Sequence, residues 1–408
     1  MQRTTTLIIG AGQCGLAMSN ALSNRSVDHI VLERGKIGNS WKTERWDSLN
    51  MLTPNWMNTP GLPADPVSNP DGFMPAREVG TVLENFAQSA SAPVQEETKV
   101  TSLCTSEYGY HADTTQGPIE AKSVVIASGF CNQPKIPACG QELPKDIFQT
   151  TPFAYKRPSD LPEGRVLIAG SSASGLNIAR ELLKAGRDVT ISIGAHMRLP
   201  RRYRGSDICN WMDLVGAFDE PWTDADDLDR LRRLPSLPLI GDEQMDLNVL
   251  QSLGAETVGR LAMIRDGKAL FSGGLTHQCA SADLKMNRLL TRIDEWITEQ
   301  GLETLLPDVE RFDPVTLPQS PRLQVNLADF KSVIWATGYK PDYSWLHLPI
   351  FDRKGYIAHD GGIIGNGLYA LGLPHLRRSR STHVDGAEGD AEALADDIAG
   401  RLAVGRAA

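Results

Sequence analysis

Apolar residues in this chain come in short bursts that stop at glycine. Leu7-Ile8-Ile9 runs into Gly10-Ala11-Gly12-Gln13-Cys14-Gly15, after which Leu16, Ala17, Ala21 and Leu22 recur at helical spacing. The next apolar run, His29-Ile30-Val31-Leu32, ends on Glu33. About 160 residues later the pattern repeats. Val166-Leu167-Ile168 precedes Gly170-Ser171-Ser172-Ala173-Ser174-Gly175, and Val189-Thr190-Ile191-Ser192-Ile193 follows the next helical stretch. The spacing predicts strand, glycine turn, helix, strand, twice over. Two other runs echo each other: Ser123-Val124-Val125-Ile126-Ala127-Ser128-Gly129-Phe130 and Ser332-Val333-Ile334-Trp335-Ala336-Thr337-Gly338-Tyr339. Each predicts a buried strand closed by a small residue, a hydroxyl, a glycine and an aromatic. Such an ending lets bare backbone approach a flat or charged group.

The first turn has the geometry of a dinucleotide cradle. Its first glycine permits the bend, its second lets backbone approach a pyrophosphate, and its third lets helix and strand pack closely. Glu33 lies 23 residues after Gly10, where a carboxylate accepts hydrogen bonds from a ribose. The second turn departs from this. Ser172 takes the place of the middle glycine, and the position matching Glu33 is Ile193, so no carboxylate repels a 2′-phosphate. Arg198, Arg201, Arg202 and Arg204 follow, and guanidinium forks match phosphate oxygens. The expectation is NADPH in preference to NADH in this half.

Two such signatures predict an α/β protein of two nested Rossmann-type domains with a helical insertion. Proline-bearing stretches at Gln133-Pro134-Lys135-Ile136-Pro137, Arg157-Pro158-Ser159-Asp160-Leu161-Pro162 and Lys340-Pro341-Asp342 mark crossings between them. Residues 1–157 are expected to begin the first domain, 158–338 to form the second, and 339–408 to complete the first. Between about 200 and 285 the strand–helix rhythm lapses. An acidic, Leu-rich segment (Asp224–Leu231) and Pro235 and Pro238 fall there, and this stretch is expected to be an insertion capping a substrate cavity. A helix is expected over Asp283–Gln300, with Leu284, Leu289, Ile293 and Ile297 near one stripe, and a last helix over Gly389–Leu402.

Composition narrows the function. The 408 residues carry 41 Lys and Arg against 50 Asp and Glu, a formal charge of −9, which argues against nucleic-acid or anionic-membrane partners. The first strand begins within a few residues of Met1, leaving no room for a signal peptide, and no apolar run reaches membrane-spanning length. None of the six cysteines forms a Cys-x-x-Cys pair, which removes a thioredoxin-reductase-like redox disulfide and a zinc knuckle. A cytoplasmic protein with reduced thiols and no metal is expected. The oligomeric state stays open.

Further motifs carry a resemblance. Gly38-Asn39-Ser40-Trp41 leads to Arg45-Trp46-Asp47-Ser48-Leu49, then to Leu52-Thr53-Pro54. With the two turns, the Ala127-Ser128-Gly129 strand end and Trp335-Ala336-Thr337-Gly338-Tyr339, they span nearly the whole chain. The chain resembles the flavin-dependent monooxygenases that bind FAD and NADPH, with bacterial single-component and plant auxin-pathway enzymes most alike. It departs from the family at Ser172, at Leu52 where an asparagine is common, and ahead of the second turn. There Lys145, Ile147 and Thr151 replace phenylalanine, glycine and histidine, and only Tyr155 of the fingerprint remains.

The resemblance implies that NADPH reduces FAD and that dioxygen is captured as a flavin C4a-(hydro)peroxide. One oxygen atom then passes to a small organic substrate, at nitrogen, sulfur or carbon. Baeyer–Villiger oxygenation of a ketone remains an alternative, as does an NAD(P)H-flavin oxidoreductase without oxygen transfer. Gly10, Gly12, Gln13, Cys14, Gly15, Glu33 and Arg34 are expected at the FAD pyrophosphate and ribose, with Val100 at adenine. Trp41, Arg45, Trp46, Leu52 and Thr53 are expected at the ring, with Ala127, Ser128 and Gly129 beside it. Gly170, Ser171, Ser172, Ala173, Ser174, Gly175, Arg198, Arg201 and Arg202 are expected to hold NADPH, with Thr337, Gly338 and Tyr339 where the domains meet. Thr53, Tyr155 and His383 are the catalytic candidates; a histidine ahead of the last helix is suited to handling a proton near the ring.

Overall fold

Two sheets whose central strands are buried along most of their length organise the chain. The computed structural model describes residues 1–58, 60, 69–232 and 236–407, with side chains described as far as 403; Pro235 of the expected insertion lies outside the described residues. In the first sheet the neighbours run Ile363–Gly365, Leu368–Ala370, Ile119–Ile126, Gln2–Ile9, His29–Leu32 and Val94–Gln95. An antiparallel hairpin, Val100–Thr105 with Tyr110–Thr114, continues from the Ile119–Ile126 strand. Gln2–Ile9 pairs in parallel with a strand on each side. Leu7 and Ile8 have no exposed surface, as expected of a parallel strand covered on both faces.

The second sheet is parallel throughout: Glu256–Val258, Val189–Ser192, Arg165–Ala169, Phe330–Trp335, Phe148–Thr150. Phe148–Thr150 lies ahead of the expected boundary at 157, so the chain crosses between sheets earlier, after residue 134. Glu256–Val258 falls inside the stretch expected to be pure insertion. A three-residue strand is too short to show alternation, so the sequence concealed it. The crossings at Gln133–Pro134 and Tyr339–Lys340 pair with each other as an antiparallel ribbon. Lys135 N–H donates to Gly338 O at 2.9 Å, and the Thr337 hydroxyl donates to Lys135 O.

The long helix runs Leu275–Glu299, beginning two turns before the expected start. Leu275, Cys279, Ala282, Met286, Leu290, Ile293 and Ile297 form its buried stripe. Leu284 is 53 % exposed and lies off that stripe. With Leu199, Tyr203, Ile208, Trp211, Phe218 and Leu239 this helix builds a separate small core. Met57 enters that core and Leu52 and Trp56 pack against it, so the insertion grips the 52–58 segment of the first domain. The last helix, Ala387–Ala407, packs on Gln13–Asn24, the helix opened by the first glycine turn.

Arg201 clasps the same contact. Its side chain is 2 % exposed, and its guanidinium pairs with Asp207. It also donates to Leu52 O at 2.9 Å and Gly241 O at 3.1 Å, and it lies 4.8 Å from the Phe73 ring. Asp207 in turn caps the helix Ile208–Leu214, accepting from Cys209 N–H. Removing one member of a buried ion pair strands the other charge. Asp207→Asn is therefore expected to lower unfolding stability by about 3 kcal/mol, measured by urea titration. A loss below about 1 kcal/mol would show that the Arg201 cation does not depend on its partner.

Candidate active site

The first glycine turn closes against the strand beside it. A Cβ on Gly10, whose φ is +111°, would lie 2.5 Å from Ala127 O, and one on Gly15 would collide with Gly10 O. Around Gly12 nothing lies within 4 Å, and the helix Gln13–Asn24 has no side-chain cap, so its first amides face open space. That arrangement suits a pyrophosphate. Glu33 is buried, and its carboxylate accepts from the Ala11 and Gly35 amides, each at 2.9 Å. The expected ribose ligand therefore also braces the turn. A crevice of about 100 Å³ opens here, with Gly10, Glu33, Arg34, Val100, Ser128 and Trp345 among its walls. Arg34 is ion-paired with Glu44. The buried Ser128 hydroxyl has no partner, and so remains available to a ligand.

The second turn repeats the first. A Cβ on Gly170 (φ +113°) would lie 2.2 Å from Ala336 O, and one on Gly175 would lie 2.0 Å from Gly170 O. Ser172 is the N-cap residue and makes no capping bond; its hydroxyl donates to Ser236 O at 3.4 Å. The buried Ser171 hydroxyl has no partner. Both cradles thus fit a dinucleotide on geometry alone.

The arginines after the second turn are placed differently from the expectation. Arg198 is buried between Asp246 at 2.8 Å and Asp283 at 2.7 Å. Arg201 is enclosed as described. Arg202 is exposed and pairs with Asp242 at 2.6 Å. Two of the three expected phosphate ligands are thus committed to internal carboxylates that sequence order does not reveal. A residue missed by sequence reading lies nearer. Arg260 follows the strand Glu256–Val258, is exposed, and forms no ion pair among the described residues. Its Cγ lies 3.6 Å from where a Gly194 Cβ would be, so its stem crosses the end of the Val189–Ser192 strand. The matching positions of the first domain, 98–100, line its crevice.

Between the cradles, residues of both domains stack. The Arg45 guanidinium lies 5.4 Å from the Trp41 ring and 5.8 Å from Phe153. Phe153 meets Tyr339 edge-on at 5.3 Å, and the Tyr339 hydroxyl is 3.5 Å from the Ser174 hydroxyl. Arg45 has no ion pair among the described residues. Thr53 donates to Asn58 Oδ1 at 3.1 Å, while Asn58 Nδ2 donates to the Thr53 and Pro54 carbonyls, fixing this turn. Trp46 is buried in the first core. Tyr155 is 1 % exposed, and its hydroxyl donates to Glu181 at 2.7 Å. It braces the second domain and is not poised for chemistry.

His383 stands at the start of the last helix, its ring 5.2 Å from Phe218 of the insertion. Nδ1 is buried without a partner. Burial, and then the Arg380 guanidinium, push its pKa down to about 4. Arg380 ties Asp213 and Asp219 of the insertion to Asp385. Burial raises the Asp385 carboxyl to about 6. All six cysteines are free, and burial, then Asp390, push the Cys14 thiol up to about 12.

Comparison with known proteins places this architecture. A CzcO-like oxidoreductase of Geobacillus kaustophilus is 30% identical over 397 residues, covering 96% of this chain and 97% of that protein. The sequence pattern of the pyridine nucleotide-disulphide oxidoreductases matches residues 7–207. The chain belongs to one family with that CzcO-like oxidoreductase. An indole-3-pyruvate monooxygenase of Arabidopsis thaliana is 24% identical over 97% of this chain and 90% of its own length. The flavin-containing monooxygenase of Stenotrophomonas maltophilia shares the fold, with a TM-score of 0.67, 16% identity, and coverage of 98% of this chain and all of that one. The two glycine turns are thus dinucleotide-shaped cradles in an oxidoreductase. Among the described residues no helix is long and apolar enough to cross a membrane.

Two measurements follow from the site. Glu33→Ala removes the acceptor of two amides, and is expected to cut the FAD content of purified protein at least about tenfold, read from flavin absorbance. Fully yellow protein would remove Glu33 from the cradle's support. Neutral His383 contributes stability above its unfolded pKa of about 6.5, which is lost as pH falls toward about 4. The melting temperature should fall over that window, and less steeply in His383→Gln.

Proposed function

We propose that this oxidoreductase is an FAD-dependent, NADPH-consuming monooxygenase. It transfers one oxygen atom of O2 to a small organic substrate, at nitrogen, sulfur or carbon. The observation that carries this reading is the capped junction between the cradles. The Trp41–Arg45–Phe153–Tyr339 stack joins them, and Arg380 and the Leu52–Trp56–Met57 contacts hold the insertion against the first domain. A reductase serving a large protein partner would gain from an open junction; an oxygenase gains from a dry, closed one. Free cysteines without a vicinal pair leave thiol–disulphide exchange without its machinery.

Bound FAD would supply the oxygen-activating chemistry and NADPH the hydride; the chain orients them and excludes water. Gly10, Gly12 and Gly15 hold the first pyrophosphate, and Glu33 and Val100 the adenosine end. Gly170, Ser171, Ser174 and Gly175 hold the second. Arg45 places an unneutralised cation where negative charge gathers on reduction. The Asn58-fixed Thr53 hydroxyl and the neutral His383 lie on the elements that meet the insertion, and each is able to accept a hydrogen bond. Arg260 receives the NADPH 2′-phosphate, since Ile193 offers no carboxylate against it.

The test is oxygen balance. Purified yellow enzyme should oxidise NADPH with O2 uptake that a substrate stimulates and that releases little hydrogen peroxide. Uptake that requires a protein or quinone acceptor would instead establish an NAD(P)H-flavin oxidoreductase. Arg260→Ala is expected to raise the KM for NADPH about tenfold, the effect of one charge-assisted contact, and to leave that for NADH unchanged. Equal effects on both coenzymes would remove Arg260 from the phosphate.

A further inference from the structure

The crevice at the first glycine turn has a wall that comes from neither turn. Gly10, Glu33 and Val100 supply the side built from the ends of the parallel strands, and Asn132, Asp342 and Trp345 complete the lining. Asn132 comes immediately before Gln133–Pro134, and Asp342 stands two residues beyond Tyr339–Lys340. Both therefore flank the ribbon that joins the two units. A crevice that belongs to one dinucleotide unit is thus closed in part by the link to the other.

Hydrogen bonds fix this wall at both ends. Asn132 Nδ2 donates to Ser128 O at 2.8 Å, at the end of the strand that closes over Gly10. Asn132 Oδ1 accepts the Asp342 N–H at 3.1 Å, which binds one crossing to the other beside the crevice. The Asp342 carboxylate accepts the Ser344 amide at 3.1 Å and the Ser344 hydroxyl at 2.7 Å, closing a tight turn. Asp342 O accepts from Trp345 Nε1 at 3.0 Å. The Leu103 N–H donates to Trp345 O at 2.8 Å, and the His347 N–H to Leu103 O at 3.0 Å, so the far end is stitched to the Val100–Thr105 strand. With its one donor satisfied by its own turn, what the half-buried indole presents to the crevice is carbon. The partnerless Ser128 hydroxyl lies in the same lining, a buried polar group that a bound ligand satisfies.

We infer that the ribbon between the units closes the adenosine end of the FAD crevice, with Trp345 offering its ring face to the adenine and Asn132 and Asp342 as positioning residues that hold the indole there. This clasp rests on the reading of the first cradle as the FAD site, and adds what retains the flavin in it. A base on an aromatic face gains contact without any hydrogen-bond match, so the wall grips the half of FAD that undergoes no chemistry. Release of FAD requires the indole to move, and the Asn132–Asp342 bond resists that movement. The same bond ties the two crossings, so flavin retention and the link between the units share one fastening.

Flavin release from the holoenzyme tests the clasp. FAD-loaded protein is diluted, and the flavin that passes an ultrafiltration membrane at successive times gives the release rate. Trp345→Leu should release FAD about tenfold faster. Trp345→Phe, which keeps an aromatic face, should stay within about twofold of the unaltered protein. Asn132→Ala, which leaves the indole but removes its hold, should release FAD about threefold faster. Release at the unaltered rate from Trp345→Leu, or equal acceleration in Trp345→Leu and Trp345→Phe, would overturn the clasp. If Trp345→Leu does not fold, release at the unaltered rate from Asn132→Ala overturns it instead. A protein that keeps its FAD through these changes loses the clasp alone. One that is purified without FAD and takes none up loses the reading of the cradle beneath it.

Discussion

In each half of this protein a carbonyl oxygen occupies the space where a side chain would begin. Ala127 O lies over Gly10, and Ala336 O over Gly170, at distances that no Cβ tolerates. This contact joins two sequence patterns that lie far apart in the chain: the glycine turn, and the strand that ends in a small residue, a hydroxyl and a glycine. It sets the turn flush against the neighbouring strand and leaves the first helical amides free. A phosphate can approach that surface; a side chain would block it. The rest of the machinery is arranged around these two meeting points.

What makes the halves different is what closes over them. Around the first turn, Glu33 braces the backbone through two amides and faces a crevice. Around the second, Ile193 is fully buried and the edge is left to an unpaired arginine. The insertion belongs by connection to the second unit but packs its small core on the 52–58 segment of the first. Arg201 and Arg380 fasten that contact from two sides, one to a backbone carbonyl and the other to carboxylates. A segment supplied by one dinucleotide unit thereby packs on the other.

The locally encoded parts were legible in the sequence, and the parts decided by distant partners were not. Glycine turns, their strands and Glu33 could be read because a few consecutive residues determine them. Arg198 could not, since Asp246 and Asp283 claim it from far along the chain, and Arg201 could not, since its burial depends on the fold turning Asp207, Leu52 O and Gly241 O onto it. Tyr155 looked like a surviving piece of a fingerprint, but Glu181 on the neighbouring helix gives it a bracing role. Arg260 carried no signal, because its position depends on a three-residue strand finding the edge of a sheet. The helix Leu275–Glu299 was recognisable as a helix, whereas its buried stripe depends on what it packs against.

The ribbon of Gln133–Pro134 and Tyr339–Lys340 has a mechanical consequence. Both passages between the units run side by side and are hydrogen-bonded to each other, so neither strand of the link can shift alone. With the insertion's grip on the 52–58 segment, the two units are tied at two separate places, and their relative orientation is set twice over.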